Sequence, residues 1–223
     1  MTDDRLLITI DGPAGVGKTT LAKKLASYLN IAYLDTGAMF RGLAYCLGKT
    51  SLNWTENELE QRLAGLSFDL IVRDGNFVLT LNQKVLGDEI RSEEIGFLAS
   101  TLGTKPVIRN FLKQEQRKIG AKYPLVAEGR DMGSCVFPDA RYKFFLDADV
   151  SVRAKRRVLQ LEEKGMQVDF KSILDALRKR DFQDRNRKIA PLKPAKDAVI
   201  IDTTHLSAEE VFDILKNKIT RGS

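Results

Sequence analysis

A glycine-rich segment near the start of the chain contains the residues whose types and spacing most clearly indicate a binding function. It follows an apolar, β-branched stretch of strand length at residues 6–10 and precedes apolar residues that recur at helical spacing. The segment matches the pattern G-x-x-x-x-G-K-[ST] through Gly12, Gly17, Lys18 and Thr19. Because a strand leads into this pattern and a helix follows it, we predict a phosphate-binding loop.

Each residue type in the pattern has a physical reason. Glycines let the backbone curl so that successive N–H groups point at phosphate oxygens, and the helix N-terminus adds partial positive charge. The Lys18 ammonium supplies a mobile charge for the β- and γ-phosphates, and the Thr19 hydroxyl is a ligand for Mg²⁺. The predicted contacts to a nucleoside triphosphate are Gly12, Pro13, Ala14, Gly15, Val16, Gly17, Lys18, Thr19 and Thr20.

The composition argues against several other kinds of protein. The 223 residues suit one domain, or one domain with inserts, and 43% hydrophobic and 30% charged residues are ordinary for a globular chain. Cys46 and Cys135 lack metal-ligand spacing, and His205 is the single histidine. No apolar stretch approaches the ~20 residues of a membrane span, and residues 1–4, which include the acidic Asp3 and Asp4, are unlike a signal peptide. We therefore expect a cytoplasmic protein with no membrane partner.

The net charge of +6 is concentrated in one segment. Residues 150–188 contain twelve Lys and Arg against six Asp and Glu, and the rest of the chain is balanced. A basic segment of this kind favours an anionic partner, either the phosphates of a small ligand or a nucleic acid. The segment has few aromatic residues for stacking on bases, Phe170 and Phe182, which argues against nucleic acid.

The remaining elements predict an α/β fold. Strand-length apolar stretches end in polar or glycine residues beside the next helical stretch, as in a doubly wound sheet of five parallel strands. The predicted strands are residues 6–10, 31–34, 124–127, 142–146 and 199–201. In such sheets ligands bind at the carboxyl ends of the strands, so we expect the functional residues at that edge.

Residues 53–87 interrupt this pattern with a small antiparallel insert. Alternating residues at 66–73 and 77–81 flank the turn signal Asp74-Gly75-Asn76, which predicts a hairpin, and residues 85–86 add a third strand. Thr55 is a candidate N-cap for a short helix that precedes the hairpin. Helical periodicity then covers residues 90–121 with a break at 103–106, and Ser207 with Glu210 predicts a capping box for the last helix.

Two helices are predicted in the basic segment. Ser151 would cap the first, from residue 152 to about 164 with Gly165 as terminator, and Asp169 would cap the second, from residue 170 to about 188. Helical spacing places Arg180, Asp184 and Arg187 on one face of the second helix, and Arg153 and Arg157 on one face of the first. Arginines facing a phosphate site would make this pair of helices a mobile lid.

Four segments together resemble the bacterial cytidylate kinases. They are the loop at residues 12–20, the segment 35–41 (DTGAMFR), the segment 129–133 (GRDMG) and the lid residues 180–187. The resemblance runs through nearly the whole chain, including the insert. It implies a nucleoside monophosphate kinase that uses ATP and Mg²⁺ to phosphorylate CMP or dCMP, and we expect it to act as a monomer. It also divides the single domain into a core (about 1–35, 105–150 and 189–223), an acceptor-binding region (about 36–104) and a lid (about 151–188).

The resemblance also implies roles for individual residues. Lys18, Arg130, Arg180 and Arg187 would stabilise the transferring phosphoryl group, and Arg153 and Arg157 would contact ATP. The residues implied for CMP are Thr36, Arg41, Ser100, Arg109, Arg130, Asp131, Arg180, Asp184 and Arg187. Ser100, Arg109 and Asp131 would read the cytosine edge, because its N4 amino group is a donor and its N3 and O2 are acceptors. The alternatives are a kinase for UMP or AMP, and a P-loop ATPase that binds nucleic acid through residues 150–188.

Overall fold

The computed structural model describes residues 5–163 and 165–221. Its strands are β1 (Leu7–Asp11), β2 (Ala32–Asp35), β3 (Phe68–Arg73), β4 (Asn76–Leu81), β5 (Lys84–Val85), β6 (Leu125–Gly129), β7 (Tyr142–Asp147) and β8 (Val199–Asp202). Its α-helices are α1 (Lys18–Leu29), α2 (Thr36–Leu47), α3 (Glu56–Leu63), α4 (Glu93–Leu102), α5 (Pro106–Lys122), α6 (Val150–Glu162), α7 (Phe170–Asn186) and α8 (Ala208–Thr220). Short 3-10 segments lie at Lys49–Asn53 and Asp88–Arg91, and a π turn lies at Met132–Val136.

The central sheet has the strand order β2-β6-β1-β7-β8. Strand β1 pairs with β7 in parallel, with Ile8 opposite Tyr142, and β7 pairs with β8 in parallel. The chain therefore builds outward to both sides of β1, which is the arrangement of a doubly wound α/β fold. The predicted fold class, a five-stranded parallel sheet with a small antiparallel sheet, is confirmed.

The chain divides into two compact units. Residues 1–31 and 126–223 contain the first unit, whose core includes the fully buried Ile8, Ile10 and Leu146. The phosphate-binding loop and residues 130–133 follow the carboxyl ends of β1 and β6, and this unit also carries helices α6 and α7.

Residues 32–125 form the second unit, with the antiparallel sheet β3-β4-β5 and helices α2 to α5. Strand β3 pairs with β4 around the predicted turn, with Arg73 opposite Asn76. Helix α5 anchors this sheet, because the buried Glu115 accepts a hydrogen bond from the Phe68 N–H at 2.8 Å. The predicted helix break near residues 103–106 separates α4 from α5.

Several predicted caps are confirmed, and the predicted start of α6 is wrong. Asp169 caps α7 through the Ser172 N–H, and Ser207 with Glu210 forms the capping box of α8. The N-cap of α6 is Asp149, not Ser151, because the Asp149 carboxylate accepts the Ser151 N–H at 2.8 Å. Helix α6 extends to Glu162, and the predicted end at Lys164 lies outside the described residues.

Helix α7 is shorter than the sequence predicts. It ends at Asn186, since Arg187 has an extended backbone with ψ of 140°. Arg187 therefore follows the helix instead of continuing its face, although its guanidinium still lies 3.7 Å from the Asp184 carboxylate. No helix in the described part of the chain is long and apolar enough to cross a bilayer.

Candidate active site

The phosphate-binding loop follows β1 with a backbone that only glycine adopts readily. Gly12 has φ of +150°, and a Cβ built there would lie 2.1 Å from the carbonyl oxygen of Leu146. Gly17, with φ of +95°, is the N-cap of α1. The loop therefore leads directly to the N-terminus of α1, where the unpaired backbone N–H groups favour anions.

Lys18 is buried, and the positive charges of two arginine side chains act on its ammonium group. Its side chain is only 6% exposed, and its ammonium donates a hydrogen bond to the Pro13 carbonyl at 2.7 Å. Burial lowers the pKa of Lys18 well below its ordinary value, and the charges of Arg130 and Arg180 lower it further, against the opposing effect of Glu128. The positive charges of Arg130, which follows β6, and of Arg180, on α7, therefore oppose the charged form of Lys18, and a bound anion would favour it.

Asp11 ends β1 and ties the loop to the segment after β6. Its two carboxylate oxygens accept hydrogen bonds from the Met132 N–H at 2.9 Å and the Gly133 N–H at 2.8 Å. Complete burial raises the pKa of Asp11 to about 6, although the two N–H donors act in the opposite direction. This residue was not singled out as a site residue from the sequence, where its only signal is its place between a buried strand and Gly12.

Two ion pairs join the segment after β6 to the last turn of α7 and to the residue that follows this helix. Arg130 Nε lies 2.9 Å from Asp184 Oδ2, and Arg187 Nη2 lies 2.9 Å from Asp131 Oδ1. Burial alone would raise the pKa of Asp184, but the charges of Arg130, Arg180 and Arg187 and the Arg130 hydrogen bond hold it below its ordinary value. Four residues predicted for CMP therefore lie together in the first unit.

Arg153 and Arg157 differ in their surroundings despite their helical spacing. Arg157 is exposed on α6. Arg153 is 3% exposed and donates to the carbonyls of Ala148 and Ala14 and to Asp181 Oδ2, at 2.9, 3.0 and 2.5 Å. Asp181 was not predicted as a site residue, because its partner is 28 residues away in the sequence.

The second unit holds the other residues predicted for CMP. At the start of α2, Asp35 Oδ1 accepts the Ala38 N–H at 2.8 Å, and Asp35 Oδ2 lies 3.3 Å from Arg41 Nη2. Thr36 is buried in the first turn of the same helix. A carboxylate at this N-cap both starts the helix and orients an arginine one turn and a half later.

Arg109, on α5, is held by two contacts. Its Nη1 donates to the Gly103 carbonyl at 3.3 Å, and its guanidinium lies 5.6 Å from the centre of the Phe40 ring. The side chain is 8% exposed. Ser100 is exposed on α4. Phe40 was not among the predicted site residues, although it lies in the segment 35–41.

A family model for cytidylate kinase matches residues 8–221. The chain belongs to the cytidylate kinase family. The matched range includes the phosphate-binding loop, the segment after β6, the antiparallel sheet and helices α6 and α7.

Individual relatives named cytidylate kinase match almost end to end. The one from Oleidesulfovibrio alaskensis is 51% identical over 97% of this chain and 99% of its own length. The one from Maridesulfovibrio salexigens is 52% identical over 96% of both chains, and the one from Thermosipho melanesiensis is 48% identical over 94% of both.

Proposed function

We propose that this chain is a nucleoside monophosphate kinase that transfers the γ-phosphoryl group of ATP to CMP or dCMP, giving ADP and CDP or dCDP. The observation that carries the proposal is the phosphate-binding loop, in which Gly12 and Gly17 have positive φ, Gly17 caps α1, and the buried Lys18 ammonium lies 2.7 Å from the Pro13 carbonyl. A loop of this kind at a helix N-terminus binds phosphate oxygens, and phosphoryl transfer needs positive charge around the transferring group. Membership of the cytidylate kinase family supports CMP as the acceptor.

The phosphate-binding loop is assigned to ATP. The backbone N–H groups of residues 12–20, to which Pro13 contributes none, would cradle the β- and γ-phosphates, and Lys18 would leave the Pro13 carbonyl to bind their oxygens. Contacts from Arg153 and Arg157 to ATP stay a prediction, and the exposure of Arg157 on α6 is compatible with one.

The side chains that could serve as metal ligands suit a Mg²⁺ ion whose ligands come mainly from the nucleotide. In residues 5–163 and 165–221, no group of three or more His, Cys, Asp or Glu side chains is arranged to hold a metal ion. Thr19 is exposed at the N-terminus of α1, beside the loop, where its hydroxyl can add one oxygen ligand. Mg²⁺ characteristically keeps waters and substrate phosphates as ligands, and it supplies charge neutralisation at the phosphate oxygens.

The acceptor residues are assigned by charge. Arg41 and Arg130 would hold the acceptor phosphate, while Arg180, Asp184 and Arg187 would contact its ribose and phosphates from the lid. A phosphate oxygen of CMP then attacks the γ-phosphorus of ATP, and the bond to the β–γ bridging oxygen breaks as ADP leaves. We propose no covalent enzyme intermediate, because positioning and charge neutralisation carry most of such a reaction.

Base recognition is assigned to Asp131, Arg109 and Ser100, and Thr36 is assigned to CMP without a more specific contact. Asp131 is 5% exposed and its Oδ1 lies 2.9 Å from Arg187 Nη2, so a base that took this place without a donor for the carboxylate would disturb a buried ion pair and gain no bond in return. Uracil presents an O4 acceptor where cytosine presents an N4 donor, and this difference favours CMP over UMP.

The remaining assignments concern organisation and setting. We propose residues 151–188 as the lid, residues 36–104 as the acceptor-binding region, and a monomer acting in the cytoplasm without nucleic acid or membrane. The Arg130–Asp184 pair, at 2.9 Å, supports the lid assignment because it joins α7 to the segment after β6.

The direct test is an assay of ADP formation with ATP, Mg²⁺ and each monophosphate in turn. We expect turnover with CMP and dCMP and much less with UMP and AMP. Equal or faster turnover with UMP or AMP would reassign the acceptor. ATP hydrolysis stimulated by single-stranded DNA or RNA, without monophosphate phosphorylation, would instead support a nucleic-acid ATPase.

A further inference from the structure

Arg153 lies at the meeting point of three segments of the first unit. Its Nε and Nη1 donate to the carbonyls of Ala148, before α6, and Ala14, in the phosphate-binding loop. Its Nη2 lies 2.5 Å from Asp181 Oδ2, on the lid helix α7. A guanidinium presents its donors in a rigid planar fork, so these three acceptors are held at fixed relative positions.

The pair is shielded from solvent on both sides. The Arg153 side chain is 4% exposed and the Asp181 side chain 14%. Backbone packing adds to the contact with the loop, because a Cβ built at Gly15 would lie 3.4 Å from the Arg153 Cβ. By contrast, Arg178 and Asp175 on the same helix are about 60% exposed and lie 3.7 Å apart, as in an ordinary surface pair.

Asp181 is also the immediate neighbour of Arg180 in α7. Arg180 contributes to the lowered pKa of Lys18, so its charge already acts at the phosphate-binding loop. Because helix residues move together, fixing Asp181 against the loop fixes the origin of the Arg180 side chain. A displacement of about 1 Å from a productive geometry can cost on the order of 100-fold in rate.

We propose that the Arg153–Asp181 pair is a positioning device that sets the distance between the phosphate-binding loop and helix α7, and so places Arg180 for phosphoryl transfer. The inference rests on the proposed function and gives Arg153 a role other than contact with ATP. Asp181 acts through Arg180 and needs no contact with substrate. Arg153 acts on both sides, since it binds the loop as well as α7.

The two partners therefore differ in their expected kinetics. In Asp181→Ala the bond from Arg153 to Ala14 remains, so we expect kcat to fall about 10- to 100-fold while the dissociation constant of ATP changes less than about threefold. Arg153→Lys loses the fork and contact with the loop, so kcat should fall and the dissociation constant for ATP should rise. Asp181→Glu keeps the carboxylate and should recover part of kcat.

Two control variants separate positioning from stability. Asp175→Asn removes the exposed pair on α7 and should match the wild type in kcat and Tm. Leu177→Ala removes a buried side chain from the same helix, so it should lower Tm at least as much as Asp181→Ala with a smaller loss of kcat. If Leu177→Ala lowers kcat as much as Asp181→Ala, or if Asp181→Ala matches Asp175→Asn, the proposal is wrong.

Hydrogen exchange tests the inference independently of turnover. In the ligand-free chain, Asp181→Ala should speed amide exchange in α7 but leave residues 12–20 unchanged, whereas Arg153→Lys should speed exchange in both. Unchanged exchange in α7 for both variants would overturn the inference. A wild-type chain that phosphorylates no monophosphate would instead overturn the proposed function, and the exchange pattern would still decide whether the pair holds the loop and α7 together.

Discussion

Arg187 Nη2 and Asp131 Oδ1 form a 2.9 Å ion pair between the residue after the lid helix and the residue assigned to the cytosine edge. Arg187 is itself held, because its Nε donates to the Ala190 carbonyl at 2.6 Å. Asp131 thus has a charged partner within the chain. A base that pairs with Asp131 must share the carboxylate with Arg187 or displace it.

Changing Asp131 should affect the acceptor much more than ATP. Asp131→Ala removes the only carboxylate assigned to the base, so we expect KM for CMP to rise by about 10²-fold with KM for ATP changed only slightly. Steady-state kinetics with each substrate varied in turn measures both constants. Similar increases in the two KM values would remove Asp131 from the base site.

Asp131→Asn offers a second readout at the same position. The amide adds an N–H donor, which suits the O4 acceptor of uracil better than a carboxylate does. We expect the ratio of kcat/KM for CMP over UMP to fall in this variant, chiefly through a loss with CMP. A ratio equal to that of the wild type would contradict the assignment.

Lys18→Met should abolish most turnover without unfolding the chain. The ammonium is expected to bind the transferring phosphoryl group, so we expect kcat to fall by several orders of magnitude. The lowered pKa of Lys18 means that its charged form is disfavoured by burial and by Arg130 and Arg180, and the variant should therefore unfold at a similar or higher temperature. Steady-state kinetics measures kcat, and calorimetry measures Tm. A near-normal kcat would show that Lys18 does not stabilise the transferring phosphoryl group.

Asp11 should make stability depend on pH. Its pKa is about 6 in the folded chain against an ordinary 3.8, so between these values the folded state holds a proton that the unfolded state has released. Its contribution to the free energy of unfolding therefore falls as pH rises through this window, by about 3 kcal/mol in all.

The matched variant for this test is Asp11→Asn. Asn offers one acceptor to the two N–H groups of Met132 and Gly133, so we expect a loss of about 1–3 kcal/mol at pH 4.5, where Asp11 is largely protonated in the folded chain. Urea unfolding at pH 4.5 and 7.5 should show the wild type losing its advantage over the variant at the higher pH. If the wild type is more stable than Asp11→Asn by the same amount at both pH values, the raised pKa of Asp11 is contradicted.

Gly12→Ala should damage the phosphate-binding loop through the backbone alone. A Cβ there would lie 2.1 Å from the Leu146 carbonyl oxygen, so the loop or β7 must move. We expect ATP affinity to fall at least tenfold and Tm to drop. Gly65→Ala is the control, because Gly65 is exposed and a Cβ there meets nothing within 4 Å. If the two variants have the same ATP affinity and the same Tm, the close approach of Gly12 to the Leu146 carbonyl oxygen is contradicted.

The sequence predicted the parallel sheet and its ligand edge because apolar strands and the G-x-x-x-x-G-K-[ST] pattern are local signals. It misplaced the start of α6, since Asp149 and Ser151 are both good N-caps and only the folded backbone decides between them. It placed Arg187 on the face of α7, although that helix ends one residue earlier.

Sequence periodicity could not identify which residues the site residues contact. Helical spacing treats Arg153 and Arg157 alike, yet one is buried against Asp181 and the other is exposed. The role of Asp11 also depends on a distant segment, since its hydrogen bonds are to residues more than 120 positions away. Such contacts follow from tertiary packing, which one sequence does not reveal.

The anchoring of the small sheet to helix α5 has a mechanical consequence. Glu115 and Tyr123 bind the backbone of β3 at Phe68 and Leu70, and Arg109 occupies the other end of the same helix. Because these bonds fix β3 to α5, a change in the tilt of α5 would be carried to the hairpin and would be largest at its tip, near the exposed Val72. A fluorophore attached at that tip therefore tests whether α5 moves when CMP binds.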